Sequence, residues 1–289
     1  MVGSFDAIDR GWLVKFVEHR IADRRVIRHI KKWLNAGVMD KGQRIEVEEG
    51  TPQGGSISPL LANVYLHYVF DLWADHWRRT QANGEMIVVR YADDFVVGFQ
   101  HRPDGERFLA DLRERFRRFK LELHPDKTRL IEFGRFAAER RSARDEGKPP
   151  TFQFLGFTHS CGLTRTNGKF TVLRLPVKKR MRAKLKVIYA ELRRRLHDPI
   201  PEVGSWLRTV VDGWYRYYAV PQTINVLASF RRQVYWLWRK VLNSRSQKGW
   251  VTWERMDRLA AAWLPTPRIL HPYPSERLNV CIQGKSRMR

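Results

Sequence analysis

Cysteine is nearly absent from this 289-residue chain: Cys161 and Cys281 are the only two, and neither belongs to a CxxC pair. That excludes a disulfide scaffold and a zinc finger, which need more thiols at closer spacing. His159 stands two residues from Cys161, yet two ligands fall short of the three or four that zinc takes. Long apolar runs are missing as well. None approaches the roughly 20 residues that span a bilayer, and the N-terminus has no signal-peptide pattern. A reducing, cytoplasmic setting with no membrane attachment is expected. Acidic residues are scarce in one half only. Residues 1–134 hold 22 Lys and Arg against 20 Asp and Glu, whereas the remainder holds 32 against 10, so the net charge of +24 sits almost wholly there. A generally solvated basic surface would not divide this way. A surplus confined to one half predicts a polyanion held by that half.

What the chain does contain is enough apolar residue, 43%, to bury one large core or two modest ones. Two apolar runs, 86–89 and 95–99, flank Tyr91-Ala92-Asp93-Asp94. Both runs are β-branched or aromatic and too short for helices, which predicts two strands in a buried sheet. Asp93 and Asp94 then sit at the tip of a tight hairpin. An ordinary Asp-rich turn is the plain alternative. Adjacent carboxylates repel each other, however, and a fold that keeps them at the end of an apolar sheet does so for a cation. Oxygen ligands of this kind suit Mg²⁺, which completes its shell with substrate phosphates. Phosphoryl transfer is the predicted chemistry.

Along the chain, apolar residues at helical spacing predict a helix over 9–34, stopped at Asn35-Ala36-Gly37. Thr51-Pro52-Gln53-Gly54-Gly55-Ser56 leads into a second helix that opens near Pro59 and runs to about residue 79. An amphipathic helix is expected over 104–120, short strands over 121–123 and 128–133, and a loop over 135–150. Strands follow over 152–157 and 170–175 around an Asn167-Gly168 turn. Beyond Pro176 the expected elements are helices, 177–197, 202–219, 223–243 and 252–263, before an irregular tail. Seven of the eleven Trp lie after residue 200 among Arg and Lys. They serve either as helix packing or as stacking platforms for RNA.

Five blocks carry a resemblance. Residues 51–63, Thr-Pro-Gln-Gly-Gly-Ser-Ile-Ser-Pro-Leu-Leu-Ala-Asn, resemble the glycine-bearing block of the reverse transcriptases encoded within group II introns. Tyr91-Ala92-Asp93-Asp94 resembles their catalytic hairpin, and Phe154-Leu155-Gly156-Phe157 their primer-gripping strand. Gly213-Trp214-Tyr215-Arg216-Tyr217-Tyr218 and Arg245-Ser246-Gln247-Lys248-Gly249 are similar to the thumb and maturase segments. The blocks stand in the family's order, and the resemblance covers nearly the whole chain, from Gly3 to about Tyr273.

The resemblance implies an α+β fold: a polymerase palm over 1–175, a helical thumb and maturase region (domain X) over 176–250, and a short helix with an irregular tail over 251–289. It implies an Mg²⁺-dependent, RNA-directed DNA polymerase of a mobile element that also helps its intron RNA fold and splice. Its partners would be group II intron RNA, an RNA template with a DNA primer, dNTPs and a DNA target site. Asp93 and Asp94 would be the catalytic metal ligands. Phe5, Gln53, Gly54, Gly55, Tyr91 and Lys127 would meet nucleotide and template, with Phe5 screening the sugar 2′-hydroxyl. The two glycines let backbone approach a base pair where side chains would not. Lys178, Lys179, Arg180, Arg182, Lys184, Lys186, Arg193, Arg194 and Arg195 cover more than one face of their helix and would hold RNA.

One block departs from the pattern. The family's first catalytic block reads Asp-x-x-Gly-x-Phe-Asp-x-Ile, and here Gly3-Ser4-Phe5-Asp6-Ala7-Ile8 stands without the leading Asp. The fingers would also lie upstream. The chain is therefore expected to be the C-terminal part of a longer protein with impaired polymerase chemistry, because lost positioning removes most of the catalysis. Asp6 and Asp9 are out of register to replace the ligand. Two rivals remain: a non-catalytic RNA-binding maturase remnant, and a retron or phage-defence type of reverse transcriptase.

Overall fold

The structure, a computed structural model, describes residues 8–35, 38–40, 43–45, 57–164, 167–245 and 249–273. Backbone contacts divide the chain into two compact units, Met1–Ile131 and Glu132–Arg289. Helices and small antiparallel sheets make it α+β.

The first unit begins with α1 (Arg10–Glu18) and α2 (Arg24–Asn35), where the sequence predicts one helix. The break comes from Asp23. Its carboxylate accepts the Arg25 N–H at 2.7 Å, starting a new helix as an N-cap. After the small hairpin β1 (Val38–Asp40) and β2 (Gln43–Ile45) comes one helical path, α3 (Ser58–Leu66) and α4 (Leu72–Thr80), joined by a π turn at His67–Asp71. The hairpin β3 (Met86–Tyr91) and β4 (Asp94–Phe99) follows, then α5 (Arg102–Arg118). Aromatic rings weld the hairpin to the helices. Phe70 lies 4.5 Å from Phe95, and Trp77 and Phe99 both meet Phe108, at 5.1 and 5.3 Å. Each such side chain, once buried, contributes about 1.5–3 kcal/mol.

The strands expected over 121–123 and 128–133 do not form. Lys120 adopts φ +53 and the Leu121 N–H donates back to the Phe116 carbonyl at 2.9 Å. This C-terminal cap of α5 takes the residue that would have begun a strand. Pro125 then lacks an N–H, and a turn closes from Thr128 N–H to the His124 carbonyl.

The second unit opens with α6 (Ala137–Ala143), where the sequence predicts a loop. Its Ala-Ala-Glu-Arg-Arg core consists of strong helix formers. The three-stranded antiparallel sheet β5 (Phe152–Phe154), β6 (Phe157–Leu163) and β7 (Phe170–Pro176) falls in this unit, together with the helices α7 (Lys178–Arg194), α8 (Ile200–Tyr218), α9 (Ile224–Asn243) and α10 (Trp253–Trp263). Leu185, Ile188 and Leu192 of α7, Val203, Leu207 and Val211 of α8, and Leu227, Phe230 and Val234 of α9 recur every three to four residues and are all buried. That period is what a helix needs to turn one face inward. Trp214 and Trp238 pack into this core, as the packing role expects, whereas Trp236, Trp250 and Trp253 are exposed. Among the described residues no helix is long and apolar enough to cross a membrane.

Candidate active site

Residues 86–99 form the predicted hairpin. Tyr91 pairs with Asp94, leaving Ala92 and Asp93 as a two-residue loop. Ala92 takes φ +52, the positive φ that tight hairpin turns require. Side chains alternate along β3. Met86, Val88 and Arg90 turn toward the core, while Ile87, Val89 and Tyr91 are 64%, 49% and 66% exposed. Asp94 is exposed and Asp93 half-buried, so the two acids stand at the rim of an uncovered apolar face.

The inward-facing Arg90 holds the turn. Its Nε and Nη2 donate to the two carboxylate oxygens of Asp71, each at 2.6 Å. Nη1 donates to Asn63 Oδ1 and to the Ala92 carbonyl, each at 2.8 Å. Asn63 is fixed in turn by a bond from its Nδ2 to the Pro59 carbonyl at 3.0 Å. Asp71 ends the π turn, whose widened ladder Arg115 braces by donating to the Tyr68 and Val69 carbonyls at 3.2 and 3.1 Å. Sequence reasoning missed Asn63, Asp71 and Arg90. The signal was present: Arg90 occupies an inward register position of a strand, where a charge needs a partner.

The two carboxylates, Asp94 exposed and Asp93 half-buried, form a hard-oxygen donor pair that fits a divalent ion bringing its own waters or phosphates. Among the described residues no third His, Cys, Asp or Glu joins them. Asp9 is engaged elsewhere. It accepts the Trp12 N–H at 2.8 Å and pairs with Lys120 at 3.0 Å. Burial pushes its pKa up, but these bonds prevail and hold it below the ordinary value.

Lys127 is exposed on the turn that follows α5. Phe154, Leu155, Gly156 and Phe157 come together as the β5–β6 turn. Phe154 pairs with Phe157, and both loop residues have positive φ, +47 for Leu155 and +77 for Gly156. Helix α8 supports this turn, with the Tyr217 hydroxyl donating to the Leu155 carbonyl at 2.9 Å and its ring stacked on Phe157. On α7, Lys178, Lys179, Arg180, Arg182, Lys186, Arg193 and Arg194 are exposed, and Lys184 and Arg195 are half-buried. Arg194 and Arg195 both bond Glu191, at 2.6 Å, and pull its pKa down to about 2. These two are thus partly committed within the helix. Phe5, Gln53, Gly54, Gly55, the segment 246–248 and Cys281 lie outside the described residues.

Residues 2–159 match the family described as reverse transcriptase (RNA-dependent DNA polymerase). The chain belongs to the reverse transcriptase family. Among relatives, it is 45% identical over 65 residues to the group II intron-encoded protein LtrA of Lactococcus lactis subsp. cremoris, covering 22% of this chain and 11% of that protein. It is 32% identical over 159 residues to protein YkfC of Escherichia coli (strain K12), covering 44% and 40% respectively. An uncharacterized 91 kDa protein in the cob intron of Schizosaccharomyces pombe is 43% identical over 63 residues, covering 22% and 8%. Each match spans well under two thirds of the relative's length. In this reverse transcriptase chain the hairpin acids and the glycine-bearing block both lie within the matched residues.

Proposed function

We propose that this chain copies RNA into DNA at the Asp93–Asp94 hairpin and serves a group II intron, whose RNA its basic second unit binds to support splicing. The observation that carries the catalytic assignment is the acid pair at the tip of the hairpin, beside the bare face of Ile87, Val89 and Tyr91. Mg²⁺, when bound, would activate the primer 3′-hydroxyl and stabilise the leaving pyrophosphate. Asp93 and Asp94 would ligate it. Tyr91 offers an exposed ring beside them for a nucleotide of the primer or substrate, and Lys127 a charge for incoming phosphates. Gln53, Gly54, Gly55 and Phe5 would contact the template pair and the sugar. The Leu155–Gly156 turn would press on the primer. dNTPs, a primed RNA template, intron RNA and a DNA target site are the proposed partners, in the cytoplasm.

The test is Mg²⁺-dependent extension of a DNA primer on an RNA template. With only two carboxylates gathered among the described residues, extension is expected to be slow, and Asp93→Ala is expected to abolish it. Extension that survives Asp93→Ala overturns the assignment. A second role as an RNA-binding splicing factor is favoured by the exposed cations of α7 and the exposed Trp236, Trp250 and Trp253. Splicing support that persists in Asp93→Ala separates it from catalysis.

A further inference from the structure

We infer that Arg90 is the positioning residue of the acid-bearing turn, acting through the Ala92 carbonyl and held to its task by Asp71 and Asn63. The inference rests on reading Asp93 and Asp94 as the metal-binding carboxylates. Four of the five N–H groups of a guanidinium are used here: two on Asp71, one on Asn63 and one on Ala92. The Asp71 arm is a side-on fork, which fixes the guanidinium plane as a single lysine ammonium cannot. The side chain of Arg90 is only 15% exposed and that of Asp71 31%, so water competes weakly for these bonds.

What the fork delivers is one donor on the peptide between Ala92 and Asp93. Ala92 has φ +52, a conformation L-residues visit rarely and keep only where their surroundings over-determine it. Rotation of that peptide would swing the Asp93 side chain away from Asp94, and the bond from Nη1 at 2.8 Å opposes it. The anchors come from one helical path: Asn63 on α3 and Asp71 at the end of the π turn. An extra residue in that turn changes the helical phase by about a quarter turn, which sets the direction in which Asp71 points. The turn is therefore registered against the helix beneath it and not only by its own strands. Arg90 contacts neither ion nor substrate in this role.

The experiment uses the full chain with Fe²⁺ in place of Mg²⁺. Ascorbate and hydrogen peroxide then cut the backbone beside the bound metal, and mass spectrometry maps the cut. The parent chain is expected to be cut within 91–94, with Mg²⁺ competing and with Asp93→Asn removing the cut. Arg90→Lys is expected to retain the fold by circular dichroism and thermal midpoint while weakening Fe²⁺ binding at the turn about 10- to 100-fold, the usual effect of removing a group that orients metal ligands. Asn63→Ala, which leaves the Arg90–Asp71 fork in place, is expected to weaken it less. A folded Arg90→Lys chain with parental affinity and cut position overturns the inference and leaves the active-site assignment standing. If Arg90→Lys does not fold, unchanged affinity in Asn63→Ala overturns it instead. A parent chain that is not cut at 91–94 removes the metal assignment and the inference together.

Discussion

A few side chains in this chain sit in conformations or surroundings that packing alone would not choose. Leu155 holds φ +47 next to Gly156 at φ +77, a pair of angles for which Asn-Gly is the favoured sequence. A Cβ on Gly156 would stand 2.7 Å from the mobile end of Arg180 and 3.1 Å from the Tyr218 hydroxyl, and its φ of +77 strains any other residue, so glycine is favoured there. Leu155 is a different case, since its side chain is retained at a conformational cost of roughly 1–2 kcal/mol. Leu155→Asn should therefore raise thermal stability by about 1 kcal/mol while weakening primer extension, measured on one preparation. Unchanged extension would remove the gripping role of Leu155. His159 stacks on Phe152 at 4.8 Å, and burial, helped by Arg174, holds its pKa below the ordinary value. The folded form then stays neutral where the unfolded chain takes a proton, so stability is intact above about pH 6.5 and declines as the pH falls below it. His159→Phe should lose this dependence. A stability difference between parent and variant that stays constant from about pH 7 to 5 would contradict it.

At the scale of elements, local signals and tertiary demands decided different things. The hairpin, the helix opening at Pro59 and the four helices after Pro176 were legible because apolar period and turn chemistry agree in each. The single helix expected over 9–34 failed because apolar spacing continues through a break that Asp23 makes by capping. The short strands after α5 failed because a strand exists only with a ladder partner, and here a helix cap claimed the first residue. Packing of α8 against α10 leaves a mark that no propensity carries: a Cβ on Gly204 would lie 2.5 Å from the Trp263 ring. Trp263 packs on a closed core, so Gly204→Ala should cost about 1–3 kcal/mol by overpacking. The denaturation midpoint and Trp fluorescence report it, and an unchanged midpoint would mean that the α8–α10 contact yields.

For the whole molecule, charge follows the division into units. Met1–Ile131 has 22 basic and 19 acidic residues, and Glu132–Arg289 has 32 and 11. RNA affinity should fall steeply with salt, by about 10³-fold or more between roughly 50 and 200 mM if six or more phosphates are contacted. A shallow dependence in a filter-binding titration would place the basic surface outside the RNA site. Composition and motif order by themselves determined the family, the acid pair and the basic half of the chain, because hydrophobic period, net charge and turn chemistry are local or additive properties. Only the tertiary structure decided that Asn63, Asp71 and Arg90 meet beneath the Asp93–Asp94 turn and which of the Trp residues are buried. The meeting at Arg90 depends on residues 19 and 27 positions apart arriving within 3 Å of one another and on helical phase shifted by a π turn, and neither is written in any single stretch of chain.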